Sequence, residues 1–182
     1  FSDGGFIVSW VDATGTRYQR FNADSTRNGT EVLVTSNTTG SSGGSEPKVR
    51  VFADDSFIVT WVSKDATRRV QFQRFTADGV AMSGIVSVAP ATEGTFNPSV
   101  AVLADGSFVM AWAGAYNTTT AHHASIVSQV FDATGAKIGE PNVITSVYFT
   151  GSSYRSVQVL ALPGGGYSLS YSDSSVSLYN IT

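Results

Sequence analysis

The chain contains no cysteine, which removes disulfide frameworks and thiolate metal sites and leaves apolar burial and backbone hydrogen bonding to hold any fold. No run approaches the roughly 20 apolar residues that a helical membrane span requires, and no charged leader precedes an apolar stretch. Charge is scarce as well: Lys, Arg, Asp and Glu together make up 14% of 182 residues, with a net charge of −3. There is thus no basic field to gather nucleic acid or anionic lipid, and neither is an expected partner. Ser, Thr, Gly and Asn fill the gap, a composition we expect of an extracellular or cell-surface chain. The sequence opens at Phe1 already inside a strand pattern, which we read as a segment of a longer array.

What is present is repetition. Asp3-Gly4-Gly5-Phe6-Ile7-Val8-Ser9-Trp10 returns as Asp54-Asp55-Ser56-Phe57-Ile58-Val59-Thr60-Trp61 and as Asp105-Gly106-Ser107-Phe108-Val109-Met110-Ala111-Trp112, with a weaker copy at Gly164 to Tyr171. Each copy starts with turn formers and continues as an alternating strand that places Phe, Val or Met, and Trp on one face. Downstream, Tyr18-Gln19-Arg20-Phe21, Phe72-Gln73-Arg74-Phe75 and Ser128-Gln129-Val130-Phe131 form a second matching strand that runs into an Asp or Gly turn. Upstream, Pro47 to Ala53, Pro98 to Ala104 and Val157 to Leu162 supply an opening strand, and a proline is tolerated at such a first position.

The unit is therefore about four antiparallel strands in roughly 50 residues, the size of a propeller blade. The fold expected is all-β: four-stranded antiparallel units in a β-propeller-like or related repeat array. Units fall near 1–46, 47–97, 98–155 and 156–182, the first without its opening strand and the last without its closing one. Such incomplete ends invite pairing with neighbouring repeats of a longer array, with each other in a closed ring, or with copies of the chain. Ser168 and Ser170 stand where the other units carry the apolar or β-branched Ile7, Ile58 with Thr60, and Val109 with Ala111, a polar face of the kind a terminal repeat requires.

These paired motifs resemble the tandem β-repeats of large secreted bacterial surface and adhesin-like proteins, in which an Asp-Gly-Gly/Ser-Phe-Val-Val-Thr-Trp strand precedes a Gln-Arg-Phe-Asp-Ala-x-Gly strand. The resemblance implies a propeller-like module displayed outside the cell, in proteins often associated with calcium. It carries no catalytic residue across, and the glycine- and aspartate-rich nonapeptides that bind calcium in many such proteins are absent from this sequence. No cofactor is expected, calcium being the one weighed.

Candidate sites are few. Asn28, Asn37, Asn117 and Asn180 head Asn-x-Ser/Thr sequons, which makes glycans in accessible loops an expectation alongside plain loop composition. Phe6, Trp10, Phe57, Trp61, Phe108, Trp112, Tyr167 and Tyr171 are read as repeat core, against the alternative of an aromatic sugar platform. Asp3, Asp54, Asp55 and Asp105 recur at one turn, where Asp caps through its own carboxyl. His122 and His123 stand side by side in the connection after the third Trp strand, a poor chelate because strand neighbours point to opposite faces. Asp12 and Asp65 follow the tryptophans and form a candidate rim for a cation. Sialidases are propellers, but Ser2 to Trp10 does not reproduce the spacing of their Asp-box. The functional expectation is a non-enzymatic structural or adhesive extracellular module, with a carbohydrate-binding propeller as alternative, for which Tyr116 and Tyr154 are the exposed aromatics on offer. A propeller glycoside hydrolase ranks last, since it needs two carboxyls about 5 to 9.5 Å apart.

Overall fold

The computed structural model describes residues 1–36, 47–63, 68–88, 95–118, 121–148, 156–172 and 179–181, with backbone alone at 95–96, 115–118, 121–124, 145–148 and 179–181. All regular structure among them is β-strand, in four antiparallel sheets. The first holds β1 (Phe6–Val11), β2 (Gly15–Phe21) and β3 (Arg27–Ser36). The second holds β4 (Lys48–Val51), β5 (Phe57–Val62), β6 (Val70–Phe75) and β7 (Val86–Ser87). The third holds β8 (Thr95–Val102), β9 (Phe108–Thr118), β10 (Ala121–Phe131) and β11 (Lys137–Tyr148), and the fourth β12 (Val157–Ala161), β13 (Tyr167–Tyr171) and β14 (Tyr179–Ile181). Each sheet is a meander in sequence order, as short turns between antiparallel strands dictate. The third begins at Thr95, slightly ahead of the expected boundary at 98.

Local chemistry explains the recurrent turn. Asp54 Oδ1 accepts hydrogen bonds from Ser56 N (3.0 Å) and Ser56 Oγ (2.6 Å), and Asp105 does the same for Ser107 at 3.0 and 2.5 Å. Asp3 accepts from Gly5 N at 2.8 Å. The middle residue of this turn needs positive φ: Gly4 and Gly106 stand at +82°, and Asp55 at +61° takes the cost that glycine avoids. Asp55 also accepts from Ser2 N and Oγ, tying the first unit to the second.

The recurrent glutamine has a separate cause. Gln129 Nε2 donates to the carbonyls of Val130, Ile138 and Gly139 at 2.9, 3.0 and 3.2 Å, where the β10–β11 register shifts. Gln19 Nε2 reaches Arg20 O at 2.8 Å and the Asn28 and Gly29 carbonyls at the corresponding shift between β2 and β3. A bulge frees carbonyls from the ladder, and a buried amide is the donor that satisfies them.

The sheets stack face to face through three apolar layers. Tyr18, Ile7, Val32 and Val34 of the first sheet meet Phe57, Val59, Trp61 and Phe75 of the second. The other face of the second sheet, with Ile58 and Phe72, meets Phe108, Met110, Trp112 and Phe131. Val109, Ala111 and Ile126 then meet Val157, Val159 and Leu169. The Phe-to-Trp face of the second and third units thus packs on the preceding sheet, and Phe57, Trp61, Phe108 and Trp112 are buried. Tyr167 and Tyr171 are half-buried against the third sheet.

Phe6 corrects the core expectation. It is 41% exposed, and Trp10 is only half-buried, because no described sheet covers that face of the first unit. His122 and His123 also move: β9 and β10 run longer than the pattern suggested, so both lie on β10 paired with Asn117 and Tyr116.

Candidate functional site

The opening strands of units two, three and four gather on one edge of the stack, with β8 lying against both β4 and β12. Alternation decides what they present. Val49 and Val51 pack toward the first sheet, which sends Lys48 and Arg50 to the opposite side of β4. On β12, Val157 and Val159 are buried while Gln158 and Leu160 are exposed. In β8 the ladder with β9 shifts between Phe96 and Ser99; Asn97 sits there at φ +53°, a left-handed conformation that Asn tolerates better than most residues. Pro98 lies in the same bulge, where no ladder N–H is needed.

Between these strands lies a cleft of about 480 Å³ lined chiefly by Lys48, Arg50, Asn97, Ser99, Gln158 and Leu160. Its floor is fixed by Ser99 Oγ, which accepts a hydrogen bond from Val159 N at 3.0 Å and links units three and four. Arg50 Nη1 donates to Val49 O at 2.9 Å, which leaves its remaining guanidinium donors for other partners. The described lining contains two cations, amides and hydroxyls, and no carboxylate. Such a surface suits oxygen-rich or anionic groups; its described lining holds no carboxyl to serve as general acid or nucleophile.

The residues singled out from sequence lie elsewhere. Asp12 Oδ1 accepts from Thr14 N (2.7 Å), Thr14 Oγ1 (2.6 Å) and Gly15 N (3.0 Å), and Arg17 pairs with its other oxygen at 2.8 Å. Those bonds hold its carboxyl down at about 2, and they commit it to the turn. Asp65, its proposed companion, lies outside the described residues, as do Asn37 and Tyr154. Among the described residues no group of three or more His, Asp and Glu gathers to hold a metal ion, calcium included. Asn28 is half-buried on β3 opposite Arg20, and Asn117 and Asn180 are on β9 and β14, so these three sequons begin on paired strands and not in loops.

Sequence reasoning missed the cleft. Lys48, Arg50, Asn97 and Gln158 share no motif and come from three units, so only the packing of the sheets assembles them. The one available signal was the pair of cations on β4, which alternate with valines.

No family model and no curated protein matches the chain. Solved structures do. The endo-arabinase of Bacteroides thetaiotaomicron VPI-5482 superposes with a TM-score of 0.51 at 13% identity, over 97% of this chain and 69% of that one. The intramolecular trans-sialidase of Ruminococcus gnavus, solved in complex with oseltamivir carboxylate, gives 0.51 at 16% identity over 92% of this chain and 36% of that one. The fold is β-propeller-like. Both neighbours are β-propeller glycoside hydrolases, and this overturns the expectation of a structural or adhesive module. The class ranked last from sequence is the one whose architecture the chain shares.

Proposed function

We propose that the chain supplies glycan-contacting blades of a carbohydrate-active β-propeller, with the cleft between β4, β8 and β12 as the sugar site. The observation that carries this reading is the lining itself: Lys48, Arg50, Asn97, Ser99 and Gln158 converge where three units meet. Amides and hydroxyls suit sugar hydroxyl groups, and two cations without a carboxylate favour a glycan that bears a carboxylate or sulfate. The fold neighbours support the carbohydrate class, one acting as an endo-arabinase and the other as a trans-sialidase held with a carboxylate ligand. The described lining accounts for recognition, and we propose binding, not bond cleavage, as the role of these residues.

The test is calorimetric titration of the chain with acidic and neutral oligosaccharides, before and after Lys48→Ala combined with Arg50→Ala. Acidic sugars should bind in a salt-sensitive manner, and the double variant should lose at least about tenfold in affinity while melting as the parent does, since both side chains are exposed. Binding that ignores the double substitution, or no preference for acidic over neutral sugars, defeats the assignment. Release of reducing ends in the same samples would show that acid and base groups outside the described lining complete a hydrolytic site.

A further inference from the structure

The second and third units of this chain bury the same aromatic device, whereas at the interface of the third and fourth the ring's place is taken by Ser128. Phe57 stacks on Phe75 with centroids 5.1 Å apart, and Tyr18 of the preceding sheet meets both rings edge-on at 5.1 Å. Phe108 stacks on Phe131 at 5.0 Å, and Phe72 of the preceding sheet meets both edge-on at 5.4 and 5.2 Å. Tyr18 and Phe72 occupy equivalent places, each followed by Gln-Arg-Phe. The first unit carries the stacked pair, Phe6 on Phe21 at 5.0 Å and 9°, without the third ring. Around it Phe6, Val8 and Leu33 are 41, 43 and 43% exposed, on one face by strand alternation and register. A contiguous apolar face of this kind marks an interaction surface.

We infer that this face receives one more β-unit of the same repeat, whose third strand presents an aromatic ring edge-on to Phe6 and Phe21. The interfaces of the first sheet with the second and of the second with the third define the partner's chemistry: a ring at the place of Tyr18 and Phe72, flanked by a β-branched residue at the place of Ile7 and Ile58. The fourth sheet of this chain is a poor occupant. Its corresponding surface carries Ser168 and Ser170, and the register of β13 with β14 puts Asn180 where the ring is needed. Stacking a second copy end to end therefore sets Ser168 and Ser170 against two phenylalanines, with an asparagine at the register position of the ring. The inference is independent of the cleft, which lies between other strands.

A chain carrying a copy of residues 47–102 fused ahead of Phe1 tests this. The copied β8 then pairs beside β1 as β8 does beside β9, and the copied Phe72 reaches the Phe6 and Phe21 pair. Trp61→Phe in the copy keeps Trp10 as the accessible indole, since Trp61 and Trp112 are 1 and 3% exposed. Acrylamide quenching of Trp10 should fall severalfold in the fusion and return on Phe72→Ser in the copy. Unchanged quenching in the fusion overturns the proposal. So does concentration-dependent protection of Trp10 in the unfused chain, which assigns the face to a second copy, or protection by oligosaccharide, which makes it a sugar platform.

Discussion

Units one and two carry nearly the same eight residues, from Asp to Trp, yet their aromatic faces have opposite fates. Phe57 and Trp61 are 0 and 1% exposed, whereas Phe6 is 41% exposed and Trp10 only half-buried. Strand register and the stacked phenylalanine pair are the same in both, and the turns differ only by the Ser56 hydroxyl bond that Gly5 cannot make. What differs is the sheet on the far side. Local sequence therefore sets which residues share a face, and neighbouring units alone set whether that face contributes stability, as expected for a stack in which each repeat contacts only its neighbours.

The largest test of that contrast is truncation of the equivalent tryptophans. Trp61→Ala should destabilise by about 3 to 5 kcal/mol, because it removes a fully buried ring and leaves a cavity. Trp10→Ala should cost about 1 kcal/mol or less, since an exposed face loses little burial and collapses freely. Denaturant melts of the two variants decide it. Equal losses would mean that the first sheet's outer face is covered in solution, which is the outcome expected when another unit is supplied.

A smaller effect should ignore the contrast. Gln19 and Gln129 are only 2 and 1% exposed and satisfy bulge carbonyls within their own sheets. Replacing either by Ala should cost about 1 to 3 kcal/mol, the penalty of leaving buried acceptors unpaired. The two losses should be similar although one sheet is covered on both faces and the other on one. A much smaller loss at Gln19, measured in the same melts, would show that solvent reaches the first bulge and that even this bond depends on cover.

The same division between local and neighbour effects explains what was legible in the sequence. The period-2 pattern around Phe57 and Phe108 and the carboxyl at Asp54 and Asp105 depend on a few adjacent residues, so strands, turns and repeat could be read directly. The exposure of Phe6 could not, because its own sequence is that of a core residue and it is exposed only because no described sheet covers that face. The role of Gln129 was hidden for a related reason: a bulge is a property of two strands, and a glutamine in a strand looks like any solvated polar residue. Least visible was the cleft. Lys48, Asn97 and Gln158 are spread over more than a hundred residues, and no spacing rule joins positions that meet only when three sheets pack.

The smallest expected effect concerns acid. Asp12 and Asp24 of the first sheet, and Asp105 and Asp132 of the third, all have carboxyls held below the usual value of 3.8, chiefly by hydrogen bonds from the Ser or Thr two residues on. A carboxyl depressed in the folded state contributes stability above its unfolded value and loses it as the pH falls through the folded one. For Asp12 that window runs from 3.8 down to about 2. These turns are local, so acid should erode both sheets alike. Proton-titration NMR of the four side chains should give depressed midpoints in each, with Asp12 near the bottom of its window. Depressed values confined to the third sheet would show that the turn chemistry, too, requires a covering neighbour.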